Sequence, residues 1–272
     1  MFPPSRGDMA LIILHEMDTL MIERAGAVLT VTLNRPEKKN AATSAMWAEL
    51  AAIFGSARND DSVRVVVVTG AGGAFCAGAD LGDPEMAEGH PIGYMRTVAD
   101  AALALHRLPQ PTIAKVDGVA VGAGCNLALG CDLVVAGEEA RFSEIFSRRG
   151  LSVDFGGTWL LPRRIGLHRA KELAFFGDIL SASEAAELGL VNRVVPSGEL
   201  DTFVASWAER LAAGPPLALS ATKAMLDDSM SMDFAQALER EGTTQIMNLE
   251  AADGREAIQA FLERRDAVFK GR

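Results

Sequence analysis

The sequence predicts an α/β fold built on a parallel sheet, and three observations carry that prediction. Continuous apolar runs such as VRVVVVTG (63–70) and CDLVVAG (131–137) mark strands buried on both faces, as parallel strands are. Strand-like and helix-like segments alternate as far as about residue 195, the pattern of strands joined by crossover helices. Beyond residue 199 the text is helical throughout.

Taken in order, VLTVTLNRP (28–36) alternates, is rich in β-branched residues and ends at Pro36, so it reads as a strand. Residues 43–58 follow as an amphipathic helix with Thr43 or Ser44 as its cap. The strand 63–70 runs into a glycine-rich loop, GAGGAFCAGAD, and GDPEMAEGHPIGYM (82–95) is loop-like. A helix over 95–107, closed by Pro109 and Pro111, precedes the strand TIAKV (112–116). DGVAVGAG (117–124) opens a helix, CNLALG, before the buried strand 131–137. The last four helices are predicted at 199–212, 216–228, 232–249 and 254–269. In the last, Ile258, Phe261, Leu262, Arg265, Val268 and Phe269 share a stripe that reads as a packing or oligomer face. The organisation is then an N-terminal extension (1–18, with Met9 and Met17 as alternative starts), a core (19–198) and a helical C-terminal region (199–272).

The 272 residues are 49% apolar and 23% charged, which is ample material for one large globular domain. A net charge of −10 argues against nucleic-acid binding, which needs a basic face. The N-terminal apolar run is too short for a membrane span. Cysteines 76, 125 and 131 and histidines 15, 90, 106 and 168 show no metal-ligand spacing, so no metal is expected, and a reducing cytoplasm fits.

Both glycine loops lie between a strand and a helix, but neither is a phosphate cradle. The first lacks the Gly-Lys-Ser/Thr ending, and GxGxxG fails because Leu127 and Phe75 stand where the third glycine belongs. Two readings remain. The glycines permit tight packing, or the loops face each other and each offers a backbone N–H to a developing oxyanion.

LNRPEKKNA (33–41), GAFCAGADL (73–81), VDGVAVGAGCNLALGCDLVVAGEEARF (116–142) and DGREAIQAFLERR (253–265) resemble, in that order, the enoyl-CoA hydratase/isomerase, or crotonase, superfamily. The resemblance runs from about Leu20 to the C-terminal helix. It implies a spiral of ββα units, a C-terminal helical region used in trimerisation, and a homotrimer or dimer of trimers. It also implies acyl-CoA thioester substrates, with coenzyme A arriving as part of the substrate and no resident cofactor. By position, Ala77 and Ala123 are the implied oxyanion donors, and Ala77, Gly78, Ala79, Asp80 and Leu81 line the CoA channel. Arg35 and Lys38 are the implied phosphate partners, with Arg264, Arg265 and Lys270 as a positive rim. Residues 82–100 supply the acyl-pocket walls.

The sequence departs from the hydratase pattern at two positions. Where hydratases of the superfamily carry glutamates, this chain has Asn126 and Phe146. Hydration needs a base for water and an acid for carbon; an amide orients water without taking its proton, and phenylalanine does neither. Glu144 substitutes only if the local backbone shifts.

Attention passes to Asp154 in LSVDFGGTWLLP (151–162). Its apolar setting fits either a helix cap or a proton-transfer group with a raised pKa. The stretch 146–166 resembles the isomerase branch that includes ring-epoxide isomerases of phenylacetyl-CoA catabolism, and there the aspartate faces the reacting carbons. The expected activity is an acyl-CoA isomerase using Asp154. The alternatives are an enoyl-CoA hydratase and a non-catalytic acyl-CoA-binding protein.

Overall fold

Four consecutive valines account for the layering. In β4 (Val65–Gly70) side chains alternate, so Val66 and Val68 enter one apolar cluster while Val65 and Val67 enter another on the opposite face. A strand apolar on both sides must be covered on both. The first cover comes from α1 (Ser44–Arg58), α3 (Pro91–His106) and α4 (Ala123–Gly130). The second is α7 (Leu200–Ala212), which contributes Leu200, Val204 and Ala208 at helical spacing. The structure, a computed structural model, describes residues 12–272.

The main sheet has seven strands in the order β1 (Ile12–Glu16), β2 (Leu20–Ala25), β3 (Val28–Leu33), β4, β5 (Thr112–Val116), β7 (Leu133–Gly137) and β10 (Arg193–Val195). The pairs β1–β2 and β2–β3 are antiparallel, and every later pair is parallel. A second, three-stranded sheet joins β6 (Val119–Val121), β8 (Arg141–Ser143) and β9 (Leu180–Ser181). With α5 (Gly157–Phe176), the successions β2β3α1, β5β6α4 and β7β8α5 supply the predicted ββα repeat. Leu33 pairs with Gly70, so the 33–41 motif and the first glycine loop leave the sheet side by side.

Four differences from the sequence reading have physical causes. Of the extension 1–18, Ile12–Glu16 pairs with β2; residues 1–11, Met9 among them, lie outside the described residues. The loop-like 82–95 contains α2 (Pro84–Glu88) and the start of α3, each opening on a proline whose missing N–H the first turn does not need. Helix 254–269 is α10 (Ala252–Glu263), which stops at Arg264 in the left-handed region (φ 57°). Arg265, Val268 and Phe269 therefore lie off the helix, and the predicted stripe is broken. The C-terminal region is also not uniform, because α7 belongs to the core. By contrast α8 (Pro216–Ser229) and α9 (Phe234–Glu250) bury no residue fully and leave Leu226, Phe234 and Met247 exposed, as α10 leaves Phe261 and Leu262. Among the described residues no helix is long and apolar enough to cross a membrane.

Candidate active site

The 33–41 motif acts as a clamp. Asn40, fully buried, donates through Nδ2 to the carbonyls of Ala71 (2.9 Å) and Ala74 (2.7 Å), and its Oδ1 accepts from Arg35 N (2.9 Å). Arg35 Nη2 binds Asp80 Oδ2 at 2.9 Å, and Nη1 donates to the Ala41 carbonyl. Both ends of the first glycine loop are thereby fixed. This corrects one expectation: the Arg35 guanidinium is engaged inside the protein and is not free for a phosphate. Lys38 stays exposed on the short turn Pro36–Lys38.

The clamp brings the first glycine loop against the second. Cys76 N donates to Val119 O, and Val121 N to Cys76 O, both at 2.9 Å. The approach is too close for side chains at several points, two of them beside the candidate amides. A β-carbon at Gly78 (φ 96°) would lie 2.8 Å from Val121 O, and one at Gly124 would lie 2.5 Å from Cys76 O. Both sequence readings of the glycines therefore apply, since close packing is what makes the loops face each other.

Hydrogen-bond accounting then identifies which amides are available. Ala77 N donates to Lys39 O at 2.9 Å, so the expectation that Ala77 supplies a free N–H is overturned. Gly78 O accepts from Ala42 N and Asp80 N donates to Ala42 O, each at 2.8 Å. In extended chain the intervening Ala79 N–H points the other way, and it has no acceptor among the described residues. Ala123 N–H, at the first position of α4, has none either.

These amides border a cavity of about 810 Å³. Of the residues singled out from sequence, Ala77, Gly78, Ala79, Leu81, Ala123, Phe146 and Asp154 line it; Arg35, Lys38, Asp80 and Asn126 do not. The segment 82–100 contributes Met86, Pro91, Tyr94, Met95, Val98 and Ala99. Within that expected segment sequence reasoning did not single out Tyr94, and it missed Arg149 and Ser152, which also line the cavity. Arg148 is held by Asp178, whereas Arg149 is exposed and lines the cavity. Of the expected rim, Arg265 is bound to Glu256 and Glu263.

Asp154 is not a helix cap. The cap of α5 is Gly156 in the left-handed region (φ 82°), with no side-chain cap bond. The Asp154 carbonyl accepts from Gly157 N (2.9 Å) and Asn126 Nδ2 (3.0 Å), while its carboxylate Oδ1 is buried with no partner among the described residues. Phe155 next to it holds a left-handed backbone (φ 48°) and packs on Trp47, ring centroids 5.2 Å apart. Such a conformation costs a side-chain-bearing residue about 1–2 kcal/mol and persists where packing overrides it. Burial pushes the Asp154 carboxyl up to about 6. Glu144 lies behind the cavity wall, 2% exposed, and its Oε2 accepts from Asn126 Nδ2 at 3.3 Å. Burial pushes it up to about 7. Asn126 is thus a bracket between Glu144 and the Asp154 backbone and does not face the cavity.

A family model described as enoyl-CoA hydratase/isomerase matches residues 23–272. The 1,2-epoxyphenylacetyl-CoA isomerase of Escherichia coli (strain K12) is 38% identical over 261 residues, covering 94% of this chain and all of that one. The 2,3-dehydroadipyl-CoA hydratase of the same strain is 39% identical over 259 residues, with the same coverage. A crystal structure of enoyl-CoA hydratase from Bacillus anthracis matches with a TM-score of 0.90 at 34% identity, covering 93% of this chain and 100% of that one. Hydratase names outnumber isomerase names among such relatives.

Proposed function

The chain belongs to the enoyl-CoA hydratase/isomerase family, and from that premise we propose that it is an acyl-CoA isomerase in which Asp154 carries the proton. One observation supports this above the others: Asp154, whose buried Oδ1 has no partner among the described residues, lines the same cavity as Ala79 and Ala123, whose amides are unpaired. The thioester oxygen accepts from Ala79 N–H and Ala123 N–H, and the helix start at Ala123 adds its partial positive charge. Asp154 removes a proton from a carbon near the carbonyl, the enolate is held by the two amides, and Asp154 returns the proton at another carbon. One acid/base suffices because water is neither added nor lost. A carboxyl near 6 is mostly ionised at pH 7 and remains basic enough to carry a proton reversibly. For a ring-derived acyl-CoA, as in the name of the Escherichia coli isomerase, the same groups assist ring rearrangement. Arg149 and Lys38 are the cations we assign to the CoA phosphates in place of Arg35. Self-association through the exposed apolar faces of α8, α9 and α10, as a homotrimer or dimer of trimers, completes the proposal; light scattering tests it. Three unpaired buried cysteines suit the cytoplasm.

Solvent deuterium tests the chemistry. Wild type should exchange label into a 3-enoyl-CoA while shifting its double bond, and Asp154→Asn should not. A second reading, enoyl-CoA hydratase, is favoured by the relatives' names; rapid loss of 2-trans-enoyl-CoA absorbance with formation of 3-hydroxyacyl-CoA would establish it. Binding without deuterium exchange would instead mark a non-catalytic acyl-CoA-binding protein.

A further inference from the structure

Tyr94 is the chain's single tyrosine and sits on the inner face of α3 with Val98, Ala101 and Leu105. It is 9% exposed and lines the cavity together with Asp154. A tyrosine hydroxyl has one hydrogen to donate and lone pairs to accept. Here Trp47 Nε1 donates to Tyr94 Oη at 3.4 Å, and the same indole packs on Phe155, the neighbour of Asp154. One tryptophan therefore supports both Tyr94 and the residue beside Asp154. The Tyr94 O–H itself finds no acceptor among the described residues. Burial first, and then the charge of Asp154, push this hydroxyl above its ordinary value against the lowering effect of the Trp47 hydrogen bond, so it keeps its hydrogen at neutral pH. Around these two groups the wall is apolar, with Met86, Met95, Val98 and Phe146.

The cavity thus presents a buried donor in addition to a buried acceptor. A plain hydrocarbon acyl chain would leave the donor desolvated and unpaired, which is costly. We propose that Tyr94 determines specificity: its hydroxyl donates to an oxygen carried on the acyl group, so the site prefers acyl-CoA thioesters bearing a hydroxyl, ether or epoxide oxygen. The inference rests on reading the cavity as the acyl-CoA site. A site built to donate a hydrogen bond rejects an analogue without the acceptor more sharply than pocket shape alone can.

The test measures binding of phenylacetyl-CoA and its 2-, 3- and 4-hydroxyphenyl counterparts by calorimetry, to wild type and to Tyr94→Phe. Phenylalanine preserves the ring packing, and a melting curve checks the fold. Wild type should bind at least one hydroxylated thioester about tenfold more tightly than phenylacetyl-CoA, and Tyr94→Phe should lose that preference. Because no other tyrosine is present, 13Cζ-tyrosine labelling gives a single resonance, which should move with the preferred hydroxylated thioester beyond any movement caused by phenylacetyl-CoA. Binding ratios that agree within threefold between wild type and Tyr94→Phe overturn the role of Tyr94 alone. Failure of all four thioesters to bind wild type overturns the acyl-CoA reading and this inference together.

Discussion

Asp154 and Glu144 lie on either side of Asn126, which donates to the backbone carbonyl of one and the carboxylate of the other. Burial raises both carboxyls, to about 6 and about 7. Each has an oxygen without a partner among the described residues. The difference is access. Asp154 borders the 810 Å³ cavity and Glu144 does not. Desolvation sets how tightly a carboxyl holds its proton, but a path to the substrate decides whether that proton is used.

The largest effect that sharpens this contrast is on turnover. Asp154→Asn should lower kcat by about 10²- to 10⁴-fold with a small change in KM, whereas Glu144→Gln should stay within about threefold of wild type. An equal loss in both, measured by steady-state kinetics, would break the comparison and favour the hydratase reading. A second measurement follows kcat/KM against pH. With Asp154 as the proposed base, the profile should rise as pH passes about 6, and Asp154→Asn should lack that limb.

Two arginines repeat the contrast among cations. Arg149→Ala should raise KM for acyl-CoA about two- to fivefold with kcat little changed, as for a partly solvated charge. Arg35→Ala, which removes the Asp80 tie, should act on stability instead, lowering the melting temperature. A stability slope extends the contrast to Glu144. Because the folded-state value of Glu144 is raised, the folded protein binds the extra proton between about 4.5 and 7, and stability falls as pH rises through that window. Glu144→Gln should therefore be stabilised relative to wild type at pH 8, by order 1–3 kcal/mol, and far less at pH 4. Denaturant unfolding at the two pH values reads this directly.

Much of the fold was legible because β4 and β7 are apolar enough to announce burial on both faces. The glycine spacing left open whether the two loops merely pack tightly or face each other, and the close approach at Gly78 and Gly124 shows both. The short strands β6, β8 and β9, with two or three residues each, carry no readable period. Ala77 and Ala79 are chemically identical, and only the bridge from Ala42 to the chain around Ala79 tells which amide is free. Arg35 looked available because its partner, Asp80, is 45 residues away. The end of α10 was hidden because Arg264, rather than glycine or asparagine, adopts the left-handed turn. Asp154 was visible as an acid among apolar neighbours, but its freedom from capping depended on Gly156 taking that position.

Phe155 has an evolutionary consequence. Glycine there would relax the backbone yet discard a ring buried against Trp47, a loss of about 3–5 kcal/mol that exceeds the 1–2 kcal/mol relieved. Any other encoded aromatic keeps the ring and the wrong-handed torsion alike. A saturation library should find this position nearly frozen, because a residue that satisfies both demands would need the opposite chirality.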